Sequence, residues 1–482
     1  MPFNTPTVML LVCFVVISIC IGAIHKTHAQ LSSHTNIPGI KVGNLPTCIF
    51  ANPDRNLIYV CNGASDTISV IDSTTNTVIN TIFVGENFPV TIALDALTER
   101  LYVGSAYSNS IKEIDTVTNN VIGTIPLGNV TLSMDSDLFG HLFVTNQFSE
   151  KITTIDAETH KVKNNSYKYG TKGVANDLSA TAFDPKTNKL FVVKNSNDTV
   201  YVFDVAHNGI LTPDGRFVVE KDPNARDVEG IDIDPATNLV YVANKENGSI
   251  SAINATSPYA TIGRLPIKGA QPEDITVNPI THILYVDDPI SGIVYVINSK
   301  CIIDHRTCNI IPVKVASHYT PGQHVIGIAV NPNTNMIYVT NQDSKTVSVI
   351  NGQTNQLSVN AKFSVNPEGS GYIVCDTQKV ANPYMFYDVN SAHRCSAVPE
   401  NDFVFTSWSN GKSKSSSNFT GPLNFKASDF GGSWTANFEY KPPPIPTQFL
   451  YGVILGPTVG SILGGFLGWL IPHFINKRIT KK

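Results

Sequence analysis

The chain has 482 residues, 15% of them charged, and a net charge of −4. That balance excludes a nucleic-acid binder, which needs basic residues massed on one face, while the length accommodates one large domain with accessories. The 33 glycines and 29 prolines call for a chain made of turns and short strands.

The first element is apolar. Residues 8–24, "VMLLVCFVVISICIGAI", run without a charge and are followed by "HKTHAQ". Thr27 and Ala29 supply the small residues of a cleavage site after Ala29, so residues 1–29 read as a secretory signal peptide. The start, "MPFNTPT", has no Lys or Arg, which leaves an uncleaved signal anchor as the alternative. Both readings send the rest of the chain out of the cytoplasm.

From residue 30 a repeat takes over. Asn/Asp-Pro-x-Thr-Asn-x-apolar-Tyr/Phe-Val, with variations, recurs as "NPDRNLIYVCN" from Asn52, "DALTERLYVGS" from Asp95 and "DSDLFGHLFVTN" from Asp135. It continues as "DPKTNKLFVVKN" from Asp184, "DPATNLVYVAN" from Asp234, "NPITHILYVDD" from Asn278 and "NPNTNMIYVTN" from Asn331. The aromatic positions Tyr59, Tyr102, Phe143, Phe191, Tyr241, Tyr285 and Tyr338 lie roughly forty to fifty-odd residues apart. In each copy an alternating run precedes an Asx-Pro turn, where Pro presets φ and Asn or Asp caps with its side chain. Three more short alternating runs follow, giving four antiparallel strands with period two. Seven copies of such a tile predict a seven-bladed β-propeller over residues 30–365. One aromatic per blade in strict register is read as packing between adjacent sheets rather than as a stacking series for a ligand.

The stretch "IYVTN", with "NPNTN" before it and "KTVSVIN" after it, resembles the YVTN-type β-propeller repeat. That family is found in cell-surface and surface-layer proteins, largely archaeal and bacterial, and the resemblance spans residues 37–365. It implies the propeller fold and a surface location; propellers host unrelated activities, so it implies no particular chemistry. Only residues 338–341 spell "YVTN" in full, and copies four and six carry the insertions "AHNGILTPDGR" and "CIIDHRTC". Residues 37–42 look like an outermost strand lacking its own blade and are expected to complete the seventh; residues 356–365 compete for that place.

Six cysteines remain outside the leader, and Cys48 with Cys61, Cys301 with Cys308, and Cys375 with Cys395 form pairs close in sequence. No Cys-x-x-Cys is present, so disulfides in an oxidising compartment are preferred over a metal site. Sequons stand at Asn129, Asn164, Asn197, Asn247, Asn254 and Asn418, all read as turns or loops that accommodate glycans.

The repeat stops at 365. Residues 366–440 read as a small juxtamembrane β module, with strands in "MFYDVNSAHRC", "DFVFTSW", "LNFKAS" and "SWTANFEY". Residues 441–447, containing "KPPPIP", form a stiff extended stalk. Residues 448–475 carry "FLYGVILGPTVGSILGGFLGWLI", uncharged and long enough to span a bilayer as one transmembrane helix. Gly460, Gly464 and Gly468 permit helix dimerisation there. The basic tail 476–482, "NKRITKK", marks the cytoplasmic side.

No nucleophile elbow, phosphate-binding glycine loop, HExxH helix or EF-hand loop is present. Chemistry is therefore sought at the channel mouth, where the inner strands begin. Asp177, Asp227, Glu229, Glu273, Asp274 and His324 stand at that level in four consecutive copies. Of these, Glu229, Glu273, Asp274 and His324 are the candidate ligands for a divalent cation such as Ca²⁺, since oxygens with one imidazole suit such an ion. The alternative is that each acid caps a turn or faces solvent, and no catalytic residue or resident cofactor is assigned. The reading preferred is a non-enzymatic, membrane-anchored cell-surface or surface-layer scaffold binding envelope proteins or glycans. The rival is an extracytoplasmic enzyme, a metal-dependent lactonase or lyase or a quinone-dependent dehydrogenase.

Overall fold

The computed structural model describes residues 39–441 except 86, 128–130, 147–150, 164–177, 196–197, 220–227, 305–307, 316–326, 381–383, 389–390, 401, 411–420 and 427–432. The leader, the span at 448–475 and the basic tail lie outside the described residues. Among the described residues, no helix is long and apolar enough to cross a membrane.

Those residues form strands and turns, with one α-helical turn at Lys300–Ile303. Seven units of four antiparallel strands follow one another along the chain. Their first strands are Pro46–Asn52, Pro89–Asp95, Thr131–Ser136, Leu178–Asp184, Val228–Asp234, Ile275–Asn278 and Ile328–Asn331. Each of these packs beside the first strand of the next sheet, and the seventh returns to the first. The ring is therefore closed, and the fold of this region is a β-propeller whose inner strands line the axis.

In each blade the first strand ends on the turn that the sequence signals. Asp95 Oδ1 accepts from Leu97 N–H at 3.0 Å, Asp184 Oδ1 from Lys186 N–H at 3.0 Å, and Asn331 Oδ1 from Asn333 N–H at 3.0 Å. The caps are buried, so their polar atoms must be satisfied internally. The last residue of the turn has a left-handed backbone: Asn56, Glu99, Asn188, Asn238, His282 and Asn335 have φ between 52° and 61°, and Gly140 does the same in the third blade. That requirement explains the second Asn of the motif, because Asn tolerates this conformation better than most residues.

The remaining letters of the repeat also have physical roles. The Asn that ends the second strand bridges to the third: the Asn62 amide bonds Thr67 and Ser69 hydroxyls at 3.1 and 2.9 Å, and the Asn244 amide bonds Ser249 and Ser251 at 3.1 and 3.0 Å. The aromatic residues are fully buried in all seven blades. Tyr59 packs with Leu101 and Val103 of the second blade, Tyr241 with Leu284 and Val286 of the sixth, and Tyr285 with Ile337 and Val339 of the seventh. Tyr338 packs with Ile58 and Val60 of the first, completing the cycle. Large rings filling the gap between sheets are what hold the blades together.

The seventh blade closes on both expected candidates at once. Thr346–Asn351 offers one outer edge, and the N-terminal strand Ile40–Lys41 pairs with its first residues, Ile40 opposite Val347 and Lys41 opposite Thr346. The start of Gln356–Asn366 takes the other half, with Ser358 opposite Val349 and Gln356 opposite Asn351. The edge is long enough for two short partners end to end, so neither candidate excludes the other. Gly39 must be glycine, since a Cβ there would lie 2.8 Å from Thr346 Cβ. Ile40 is half-buried, and Ile40→Ala is expected to lower stability by about 1 kcal/mol, less than a fully buried site, read as a shift of the urea midpoint. An unchanged midpoint would assign ring closure to the residues after 355 alone.

Outer strands in the first, second, fourth and fifth blades each carry a register shift at the same place. Such bulges twist an exposed edge away from pairing with another chain. The insertion of the sixth copy becomes the short helix Lys300–Ile303, tied by Cys301–Cys308; that of the fourth copy becomes a turn and the strand Leu211–Val218.

The chain divides into two compact units, the first running through Asn360 and including Phe386–Ser391 and Lys426–Gly431. The second holds a four-stranded sheet of Gln378–Lys379, Gly371–Cys375, Ala392–Pro399 and, up to Phe425, Leu423–Lys426. In it Ser433–Tyr440 pairs with Phe403–Asn410 on one side and with Lys362 to Asn366 on the other. Trp408 is buried and donates its indole N–H to Gly421 O at 3.2 Å. All three disulfides join the pairs expected; Cys48 faces Cys61 and Cys375 faces Cys395 directly across neighbouring strands.

Candidate functional site in the central channel

One end of the ring carries the Asx turns, and the inner strands start at the other. Of the residues singled out at that mouth, Asp177, Asp227 and His324 lie outside the described residues. Glu229 is half-buried on the fifth inner strand. Glu273 and Asp274 sit on the approach to the sixth, and the structure brings these two together with Asp287, which the sequence reading passed over.

The geometry around Asp274 is a backbone latch. Asp274 N–H donates to Asp287 Oδ1 at 2.7 Å, and Asp274 Oδ2 accepts from Ile328 N–H of the seventh inner strand at 3.1 Å. Glu273 pairs with Lys245 of the fifth blade at 2.8 Å. Burial pushes the Asp274 carboxyl up to about 6, and the neighbouring Glu273 carboxylate adds to it. Asp287 is fully buried and is raised well above the usual carboxylate range, first by burial and then by the negative charges of Asp274 and Glu273.

The same device recurs deeper in the ring. Asp135 Oδ2 accepts from Phe183 N–H, one blade on, at 2.6 Å. Asp232 Oδ2 accepts from Val277 N–H, again one blade on, at 2.8 Å. Asp135 and Asp232 occupy the same place in the repeat, where other blades have Phe50, Ala93, Ala182, Thr276 and Ala329. Burial raises Asp135 to about 7 and Asp232 to about 6, and each feels another inner-strand carboxylate, Asp232 acting on Asp135 and Asp274 on Asp232.

Hydroxyls lash other pairs of inner strands. Thr47 Oγ1 donates to Pro89 O at 2.6 Å, and Ser136 Oγ to Leu94 O at 2.6 Å. Asp135 and Asp232 were missed because attention went to the start of the inner strands, whereas both stand mid-strand and reach the next blade. The signal was available: an acid mid-strand where sister blades carry Phe, Ala or Thr. Among the described residues, no group of three or more His, Cys, Asp or Glu side chains is arranged to hold a metal ion. What the arrangement does chemically is hold neighbouring strands through carboxylates, four of which burial raises above the usual range.

Two sequons fall on described residues. Asn247 is half-buried in the turn after the second strand of the fifth blade. Asn254 ends the strand Ser249–Asn254 and caps the following turn, its Oδ1 accepting from Thr256 N–H at 3.1 Å and Thr256 Oγ1 at 2.9 Å. Asn129, Asn164, Asn197 and Asn418 lie outside the described residues.

No family model matches the chain, and no curated protein does. Among solved structures it is similar to a chain of Kuenenia stuttgartiensis hydrazine synthase, with a TM-score of 0.52 and 17% identity over 67% of this chain and 98% of that one. A likeness at that identity concerns the fold alone.

Proposed function

We propose that this protein is a membrane-anchored, extracytoplasmic β-propeller of the YVTN type that presents its ring as a binding scaffold at the cell surface or surface layer. Its partners are envelope proteins or glycans, and the sequons carry glycans on the exposed turns. The observation that carries this reading is the use of the channel carboxylates. Asp135, Asp232 and Asp274 each hold a backbone N–H of the next blade, and Glu273 is paired with Lys245, so these acids act as fastenings. Three disulfides fit an oxidising compartment.

The enzymatic reading draws support from one feature, the raised carboxyls of Asp274 and Asp287, whose residues are joined by the Asp274 N–H to Asp287 Oδ1 bond, since perturbed acids cluster at reactive sites. The two readings separate in one preparation of full-length protein in detergent. Metal content is measured after dialysis, lactone and ester hydrolysis are assayed, and the protein is sedimented with isolated envelope material. A scaffold co-sediments, without stoichiometric metal or turnover. A stoichiometric metal lost on combining Glu273→Gln with Asp274→Asn, together with turnover, overturns the scaffold.

A further inference from the structure

On the turn side of the ring, a chain of hydrogen bonds crosses from the third blade to the fourth through a histidine. Asp137 Oδ1 accepts from the backbone N–H of Phe139 at 2.8 Å and of His141 at 2.9 Å. Its other oxygen, Oδ2, lies 2.7 Å from His141 Nδ1. A carboxylate so placed accepts a hydrogen bond from Nδ1–H, which leaves the lone pair on Nε2. That nitrogen faces Lys163 Nζ at 2.9 Å, and the same ammonium donates to Asn208 O of the fourth blade at 2.6 Å.

The site is closed around the ring. His141 and Asp137 are almost fully buried, and a Cβ on Gly209 would come within 2.6 Å of His141 Cδ2. The turn carrying Asn208 is otherwise held by its own bonds, Gly209 N–H to Ala206 O at 2.7 Å and Ala206 N–H to Ile210 O at 3.0 Å. Phe139 stacks edge-on against His207 of that turn, with ring centroids 4.0 Å apart. The charged and titratable groups around His141 are Asp137 on its own turn, Asp156 directly opposite it, Lys163, and His207 beyond Phe139. Asp156 Oδ2 lies 3.4 Å from Lys163 Nζ.

We propose that this chain is an acid-opened latch between the third and fourth blades. With a neutral imidazole, Lys163 has three acceptors, His141 Nε2, Asn208 O and the Asp156 carboxylate. Protonation converts Nε2 from an acceptor into a cationic donor facing an ammonium at hydrogen-bond distance. Asp137 holds the imidazolium in place, so Lys163, which is partly exposed, is the group that leaves. Its departure takes the cross-blade bond to Asn208 with it and frees the 206–210 turn. The proton taken up by His141 comes from solvent, and no covalent bond changes.

Hydrogen exchange of full-length protein in detergent tests this, with mass-spectrometric peptides over residues 206–212 at pH 7.5 and 5.0 after correction for intrinsic rates. Protection of this turn is expected to fall roughly tenfold in acid, the loss of one charge-assisted hydrogen bond. Lys163→Met removes the ammonium and is expected to show the same weak protection at both pH values. His141→Gln keeps an acceptor that does not titrate and is expected to stay protected in acid. Equal protection of the unmodified protein at both pH values overturns the latch. So does an acid step that survives in Lys163→Met, which would place the titrating contact elsewhere.

Discussion

Tyr338→Ala is expected to destabilise the ring by about 3–5 kcal/mol, the range for truncating a buried aromatic residue. The side chain is fully buried and packs with Ile58, Val60, Ile71, Val347 and Val349, so its removal leaves a void at the seam where the last blade meets the first. Its hydroxyl donates to Asn76 Oδ1 at 2.7 Å, across a sequence separation of 262. Tyr338→Phe isolates that bond and is expected to cost about 1 kcal/mol, because Asn76 loses a donor while the packing stays. Two sister blades already carry Phe143 and Phe191 at this position, which supports the ring as the main contributor. The measurement is urea unfolding of both variants followed by far-ultraviolet circular dichroism, since Trp408, Trp434 and Trp469 all lie outside the ring. If Tyr338→Ala shifts stability by less than Tyr338→Phe, inter-blade packing is not what the aromatic position supplies.

Asp135→Asn is expected to stabilise the protein at pH 8 by about 1–2 kcal/mol and to cost about 1 kcal/mol at pH 4. The sign follows from the direction of the shift. The Asp135 carboxyl is raised from 3.8 in the unfolded chain to about 7 in the fold, chiefly by burial. Between those values the folded state holds a proton that the unfolded state has released. Stability from this group is therefore present at low pH and is lost as pH rises toward 7. The full shift converts to about 4 kcal/mol at 1.36 per unit, and the half-buried channel position with its effective dielectric reduces that figure. Asn keeps one oxygen to accept from Phe183 N–H, gives up the acceptor that Ser136 N–H uses at 2.8 Å, at a cost of about 1 kcal/mol, and removes the titration. Unfolding midpoints of the two proteins from pH 4 to 8 check this: parallel curves would remove Asp135 from the titrating set.

Much of the first unit is legible in the sequence for a local reason. A blade of about forty-four residues repeats seven times, and each letter of its motif acts within one hairpin or at one fixed offset. Asp184 caps the turn three residues wide beside it, Asn335 adopts the left-handed backbone that the turn requires, and the alternation in "MIYVTN" sets which face is buried. The aromatic register was readable too, because the same offset in every tile implies the same neighbour in every blade. Paired cysteines close in sequence needed only short strands facing each other, and Cys48 opposite Cys61 is the outcome.

What the tertiary structure alone decided are relations between tiles that differ from one another. Period two says that Asp135, Asp232 and Asp274 share one face of their sheets, but not which backbone N–H of the next blade each one meets. Those partners sit 48, 45 and 54 residues further along, at positions that carry no marker of their own. The shared outer edge of the seventh blade is of the same kind: two segments more than 300 residues apart, Ile40–Lys41 and the start of Gln356–Asn366, each fit half a strand. So is the path from Asp137 through His141 and Lys163 to Asn208. Each depends on how one segment packs against another, and that packing brings together residues whose sequence neighbourhoods hold no trace of the contact.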